Sequence, residues 1–460
     1  MSFEPRADTP VVPDIEAIVH AAMERQHLPG LSLAVARNGE VLCARGFGRR
    51  NVGENLLAGP DTIYSIASIS KQFTVAALLQ LAERGRLRVD DRLRRYFPWF
   101  PYGDDIELRH LLTHTSGIPD YFPLDEIDHI GFAEASPRAI AEAVLERGPA
   151  FAPGSEYQYC NTGYVLLGAV LEMIAQQSYA QYLQMHVFEP LELTRTGVDD
   201  SPAIRSDVAV GCTSFVLGPW ELARDYHPAW EFATGGLFST VTDLLKWNAA
   251  LRAGRVVSAA SFAQMTAQAR LSNGHAVNYG WGVGVSEVGG LREIRHTGGL
   301  PGIATDNATY PDAGIDIVVF VNHDNCSTYA TITRPILALL CDDPALRSAR
   351  LPDFSASSGL TERPQAQDWI RAAAAGAVDG VPFSAKFQRF LTPERRARFA
   401  ELRALGDIRA IALVDAGRRD PETSFSYRVD FEREPLLATI AIRDDGLVAN
   451  LNFIRWDDRA

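Results

Sequence analysis

Apolar positions recur at helical spacing from Ile15 to Gln26, and the period then changes. Gly30 to Ala36 and Glu40 to Ala44 are short apolar runs on either side of Asn38-Gly39, the pattern of a tight antiparallel hairpin. Helical spacing returns from about Ser68 to Arg84, where Phe73, Ala76, Ala77 and Leu81 form the apolar set and Gly85 supplies a stop. Its alanine-rich and leucine-rich centre predicts a buried helix. From Leu87 to Phe151 the chain reads as helices and loops, with Leu108–His114 and Pro137–Arg147 as the periodic segments. Further helices are expected at Thr162–Ala175 and Leu244–Leu251, and strands at Tyr279–Val285, Leu291–His296, Gly302–Asn307 and Ile315–Asn322. Thr331–Cys341 closes this part as a helix.

Strands, a long helical insertion and strands again predict an α/β fold whose antiparallel sheet combines the two ends of the segment and is flanked by helices. The expected main domain covers residues 10–345, with sheet segments at 30–60 and 279–322 and an all-helical subdomain at roughly 85–245. Residues 346–364 read as a linker. Residues 365–460 read as a small C-terminal α+β accessory domain, with helices at Trp369–Val378 and Pro393–Leu405 and four alternating segments between Ile408 and Ile454.

Composition narrows the choice of function. With 44 Lys and Arg against 57 Asp and Glu, the formal charge is 44 − 57 = −13, which argues against nucleic acid as the main partner. No apolar run reaches membrane-spanning length. The five cysteines are scattered without a CxxC pair, so no metal site and no cofactor is suggested. The N-terminal stretch has no basic segment followed by an apolar one, so the expected compartment is the cytoplasm if that terminus is authentic. A removed leader would make it periplasmic or secreted. Homo-oligomerisation is compatible with this composition.

Three polar clusters carry the candidate chemistry. In Ser68-Ile69-Ser70-Lys71 the hydroxyl and the amine lie three residues apart, on one face of a helix that starts at Ser68. Serine needs a proton acceptor to act as a nucleophile, and a desolvated lysine can be one. Ser65 and Ser70 have no lysine at that spacing and are left with local roles. In Tyr159-Cys160-Asn161 a phenol can pass a proton and an amide can both donate and accept. In His296-Thr297-Gly298-Gly299, directly after a strand, a backbone edge could bind extended substrate, and the amide at Gly299 could join that of Ser68 in an oxyanion hole. His296 is read here as a donor or partial positive charge, and the glycines as permitting close approach.

Taken together, Ser68-x-x-Lys71, Tyr159-x-Asn161 and His296-Thr297-Gly298, with Leu111-Leu112-Thr113-His114-Thr115-Ser116-Gly117 and Gly235-Gly236-Leu237-Phe238-Ser239-Thr240, resemble the serine beta-lactamase-like superfamily, in the class C beta-lactamase, DD-peptidase and esterase branch. The resemblance implies an active cleft between an α/β domain and an all-helical domain. It implies catalysis by Ser68, Lys71 and Tyr159, substrate binding by Asn161, His296, Thr297 and Gly298, and an oxyanion hole from the amides of Ser68 and Gly299. The expected substrate is a small ester, amide or D-peptide, cleaved by an esterase or D-amino-acid-specific peptidase. The alternatives are a beta-lactamase or DD-carboxypeptidase, and an inactive ligand-binding or sensor protein. Histidine in place of lysine in the third motif loosens any requirement for an anionic substrate.

Overall fold

The computed structural model describes residues 11–122, 133–198, 207–224, 226–348, 363–419 and 422–456. Its main sheet is built from β1 (Gly30–Arg37), β2 (Glu40–Asn51), β3 (Leu56–Leu57), β4 (Gly284–Val288), β5 (Leu291–Leu300), β6 (Ile303–Tyr310) and β7 (Ile315–Val321). The spatial order is β3-β2-β1-β7-β6-β5-β4, so β1 and β7, distant in sequence, lie side by side, with Leu31 opposite Val321 and Arg37 opposite Ile315. Every pairing in this sheet is antiparallel, as the sequence predicts.

The two central strands are buried on both faces, which explains why they read as nearly continuous apolar runs. Alternation sorts their side chains. Leu31, Leu33, Val35, Ile317 and Val319 pack with the helices Val12–Gln26 and Arg334–Cys341 on one face, whereas Ala34, Ala36, Val318 and Phe320 belong to the core shared with the helical layer. That layer is centred on α1 (Ser70–Glu83), in which every residue from Ser70 to Leu81 is buried. A helix wrapped on all sides has no polar face to show, so its apolar stripe is weakly marked.

Several predicted boundaries move. The segment predicted as a strand from Tyr279 to Val285 becomes one only at Gly284; before it, Tyr279 makes a single bridge and Gly282 adopts a φ of 70°. β5 runs on to Leu300, so the His-Thr-Gly-Gly cluster lies inside the strand and not after it. Ser68 sits in a 3-10 turn, Ala67–Ile69, that precedes the α-helix. Most of the segment predicted as a linker lies outside the described residues.

Residues 363–456 form a second apolar core. Strands Ile408–Arg419, Glu422–Phe431, Pro435–Arg443 and Val448–Arg455 make an antiparallel sheet in sequence order. Phe425, Tyr427 and Val429 alternate onto its buried face beneath Ile370, Phe387 and Phe399 of the covering helices. Phe215 and Val216 reach into this core from the first part of the chain, and the Val216 amide donates to Asn452 Oδ1 at 2.9 Å. Among the described residues, no helix is long and apolar enough to cross a membrane.

Candidate active site

The Ser68 turn is clamped by three hydrogen bonds, two to Leu237 and one to Thr305. The Ile66 amide donates to Leu237 O at 2.8 Å, Thr305 Oγ1 donates to Ile66 O at 3.1 Å, and the Leu237 amide donates to Ser70 Oγ at 3.1 Å. Ser70 therefore holds the turn. Ala67, one residue before Ser68, has a φ of 46°, a left-handed conformation that non-glycine residues rarely adopt and that surrounding contacts must impose. Gly298 of β5 lies against this turn: a Cβ there would come within 2.3 Å of both Ile66 O and Thr305 Oγ1. The glycine is required by protein packing. At Gly299 an added Cβ would meet nothing within 4 Å, and this residue faces open space.

Lys71, the second residue of α1 and three residues after Ser68, is fully buried, and its Nζ meets Ser68 Oγ at 3.0 Å, Asn161 Oδ1 at 2.9 Å and the Thr234 carbonyl at 2.7 Å. Asn161 Oδ1 and the Thr234 carbonyl can only accept from the amine, and the Ser68 hydroxyl can accept from it or donate to it. Two aromatic faces close the site, with Nζ 4.9 Å from the centroid of Tyr159 and 5.4 Å from that of Tyr164. The predicted Ser68–Lys71 pairing is thus present, within a larger web whose members come from sequence positions up to 163 residues away.

Tyr159 and Asn161 both line one cavity with Ser68. Cys160 between them is extended (φ −142°, ψ 113°), and extended backbone sends side chains two apart to the same side. Its own thiol turns away, towards Ile118 O at 3.2 Å, while its amide donates to His114 Nδ1 at 3.0 Å. Asn161 opens a helix, Asn161–Ala175, and the carboxylate of Asp120 receives both its amide (2.9 Å) and its Nδ2 (3.3 Å). An acidic group at a helix start suits the exposed amides there. Asp120 fixes the side-chain amide so that Oδ1 points to Lys71.

His296 departs from the donor role expected of it. Because a carbonyl can only accept, the 2.6 Å contact between Nδ1 and Thr297 O places the proton on Nδ1, which leaves Nε2 to accept from Tyr279 Oη at 2.9 Å. Burial, reinforced by the charge of Lys71, pushes the imidazole pKa down to about 3. The Tyr279 phenol is pushed well above its usual value by burial and stays a donor. His296 is therefore a neutral residue with both ring nitrogens engaged by the protein. It lines the cavity but presents neither charge nor a ring N–H to it.

From Thr297 onwards β5 has only β6 beside it, since pairing with β4 ends at Arg295 opposite Gly284. Thr297 and Gly299 both line the cavity, whose volume is about 290 Å³. One further wall comes from the helix Pro228–Gly235, broken at Phe232 (φ 31°, ψ −124°); the break separates Glu231, on the cavity wall, from Thr234, whose carbonyl meets Lys71.

Sequence reasoning missed Asp120, Thr234, Tyr279 and Glu231. His114 and Gly235 fell within stretches singled out for their context, one of them next to Thr234. Nothing local marks Asp120 or Tyr279, whose importance arises only from the groups they meet.

A family model described as Beta-lactamase matches residues 15–340. Penicillin-binding protein 4* of Bacillus subtilis is 29% identical over 332 residues, 68% of this chain and 72% of the relative. Protein flp of Staphylococcus aureus is 28% identical over 238 residues, covering 51% of this chain and 47% of its own length. Among solved structures, an octameric penicillin-binding protein homologue from Pyrococcus abyssi superposes with a TM-score of 0.67 at 23% identity, over 96% of this chain and all of the other. The D-amino acid amidase of Ochrobactrum anthropi gives 0.64 at 23% identity, covering 72% of this chain and 98% of its own.

Proposed function

Because the chain belongs to the beta-lactamase family and is a serine hydrolase that works through an acyl-enzyme, we propose that Ser68 is its nucleophile and Lys71 the base. The observation that carries this reading is the 3.0 Å contact between Ser68 Oγ and Lys71 Nζ, held by Asn161 and Thr234. When Lys71 is neutral, its lone pair takes the hydroxyl proton as Oγ attacks the substrate carbonyl. A bond forms from Oγ to the carbonyl carbon, and the oxyanion is received by the amides of Ser68 and Gly299. The bond to the leaving amine or alcohol then breaks, with the proton returned through Lys71 and Tyr159. Water reverses the sequence to release the carboxylic acid and restore Ser68.

Asn161 keeps one Nδ2 proton beyond that given to Asp120, and we assign it to the carbonyl of the substrate's acyl side. Thr297 and Gly299 offer the strand edge. The substrate class we favour is a small amide or ester of an amino acid, including D-amino acid amides. Support comes from the modest cavity, from a neutral His296 that offers no charge for a substrate carboxylate, and from the likeness to a D-amino acid amidase. Residues 10–345 would be the catalytic unit and 365–460 an accessory unit joined by 346–364, a division supported by their largely separate apolar cores.

A fluorophosphonate probe with peptide mapping, read beside hydrolysis of p-nitrophenyl acetate, tests the assignment. Wild type should be labelled at Ser68, and Ser68→Ala should lose both labelling and turnover. Full activity in Ser68→Ala, or labelling elsewhere with Ser68 untouched, would reject it.

A further inference from the structure

We propose that the C-terminal unit decides how long an acyl chain the cleft accepts, because it anchors a small hairpin that props one wall of a groove leading from Ser68; the inference rests on Ser68 being the nucleophile. The groove, about 590 Å³, joins the cleft through Phe122, Thr297, Gly299 and Leu300, which line both. Among the described residues its apolar lining includes Phe122, Tyr226, Leu300, Pro301 and Ile303. Its charged lining residues are engaged, Arg295 with Asp306 at 2.7 Å and Asp324 with the Gly302 amide at 2.9 Å, so a neutral chain suits it. Tyr159, assigned above to the proton of the leaving group, lines the cleft and is not among the groove's lining residues. The groove side is therefore left to the acyl chain.

The wall needs outside support at its turn. In the ladder between β5 and β6, Gly299 lies opposite Ala304 and Leu300 opposite Ile303, so strand pairing holds the oxyanion amide, whereas Pro301 and Gly302 lie beyond the last pair. Gly302 packs on another segment instead: a Cβ there would come within 2.5 Å of Ala223 Cβ and 2.6 Å of the Gly211 carbonyl carbon. Those two residues flank a hairpin whose strands, Cys212–Thr213 and Glu221–Leu222, pair antiparallel. The Cys212 amide ties its stem to the main domain, donating to Asn322 O at 3.1 Å. Its head enters the other core, where the Phe215 ring meets Phe390 and Phe399 edge-on, each at 5.3 Å. On the stem, Glu221 accepts from Arg395 Nη2 of the C-terminal unit at 2.6 Å.

Val216 and Leu217 in that head have φ angles of 47° and 59°. A β-branched residue rarely adopts such a backbone, which persists only where neighbours impose it; here these are the C-terminal core and Asn452. Without that docking the head relaxes, the stem loses its far anchor, and the turn at Pro301-Gly302 loses the surface it packs on. An acetyl group stays within the cleft of about 290 Å³ and beside groups that strand pairing holds. An octanoyl chain must run along Leu300 and Pro301, so it alone senses the prop.

The test compares kcat/KM for p-nitrophenyl acetate and p-nitrophenyl octanoate in full-length wild type, Phe215→Ala, Glu221→Arg and Glu221→Arg/Arg395→Glu, with enzyme concentration counted as fluorophosphonate-labelled Ser68. Phe215→Ala and Glu221→Arg should each lower the octanoate value roughly 3- to 30-fold, the scale on which a contact outside a site tunes it, and leave the acetate value within about two-fold. Restoring the ion pair with reversed charges in Glu221→Arg/Arg395→Glu should recover octanoate hydrolysis. Equal losses on both esters, or an octanoate value unchanged in both single variants, overturns the proposal while leaving Ser68 as the nucleophile. Undiminished hydrolysis of both esters in Ser68→Ala would remove both.

Discussion

Lys71 and His296 are two buried basic side chains beside one cleft, and their neighbours hold them differently. Lys71 meets an amide oxygen and a carbonyl, which can only accept, and the Ser68 hydroxyl, which can accept from the amine or donate to it. His296 meets one acceptor, Thr297 O, and one donor, Tyr279 Oη, which suits an imidazole with one proton and one lone pair. Burial alone would disfavour the charged form of both. The polarity of the hydrogen bonds marks the difference: around Lys71 the serine hydroxyl can accept from the amine or donate to it, whereas the carbonyl and the phenol around His296 fix a neutral wall.

Removing Lys71 should have the largest effect. In a Lys71→Ala variant whose thermal melt remains cooperative, acylation should fall by roughly 10²- to 10⁴-fold, the usual contribution of a positioned base. Stopped-flow measurement of the acylation burst checks this, and a near-normal burst would move the base role to another group.

The strand that carries His296 gives a sharper, smaller contrast. Gly298→Ala should cost about 1–3 kcal/mol of stability through overpacking against the Ser68 turn, and should slow acylation because Ile66 and Ala67 must shift. Gly299→Ala, one residue on, should lie within about 0.5 kcal/mol of wild type. Denaturant melts of the two variants side by side measure the difference, and equal losses would contradict the packing described here.

A last effect concerns pH. The folded pKa of His296 lies below the unfolded value of ~6.5, so between that value and about 3 the unfolded chain binds a proton that the folded chain does not. Stability contributed in this way is intact above pH 6.5 and declines as pH falls, by up to about 1.4 kcal/mol per pH unit for one group. His110, His186 and His323 are also held below their usual values, chiefly by burial, and add to the trend. His296→Gln should therefore flatten, without abolishing, the loss of stability between pH 6.5 and 5 in denaturant titrations. An unchanged slope would mean that His296 is not held neutral.

Legibility in the sequence followed the range of the interactions. The hairpin around Asn38-Gly39 and the alternating Phe425, Tyr427 and Val429 are local patterns of period two, and each formed as its pattern predicts. The break before Gly284 was missed because the apolar residues Tyr279, Trp281 and Val283 alternate like a strand while Gly282 takes a left-handed turn. The third motif was legible, but the partner that engages its histidine was not, since Tyr279 lies 17 residues away and nothing in the motif names it.

By itself, the sequence determined which residues could do chemistry and roughly which elements carry them: a hydroxyl and an amine one helical turn apart, a tyrosine and an asparagine flanking one residue, a histidine beside two glycines. Those are properties of neighbours along the chain. Only the tertiary structure decided their protonation and their use, because Asp120, Thr234 and Tyr279 reach the site across long stretches of sequence. Hydrogen-bond polarity and burial act through space, so the same histidine can be a cation in one fold and, as here, a neutral wall of the cavity.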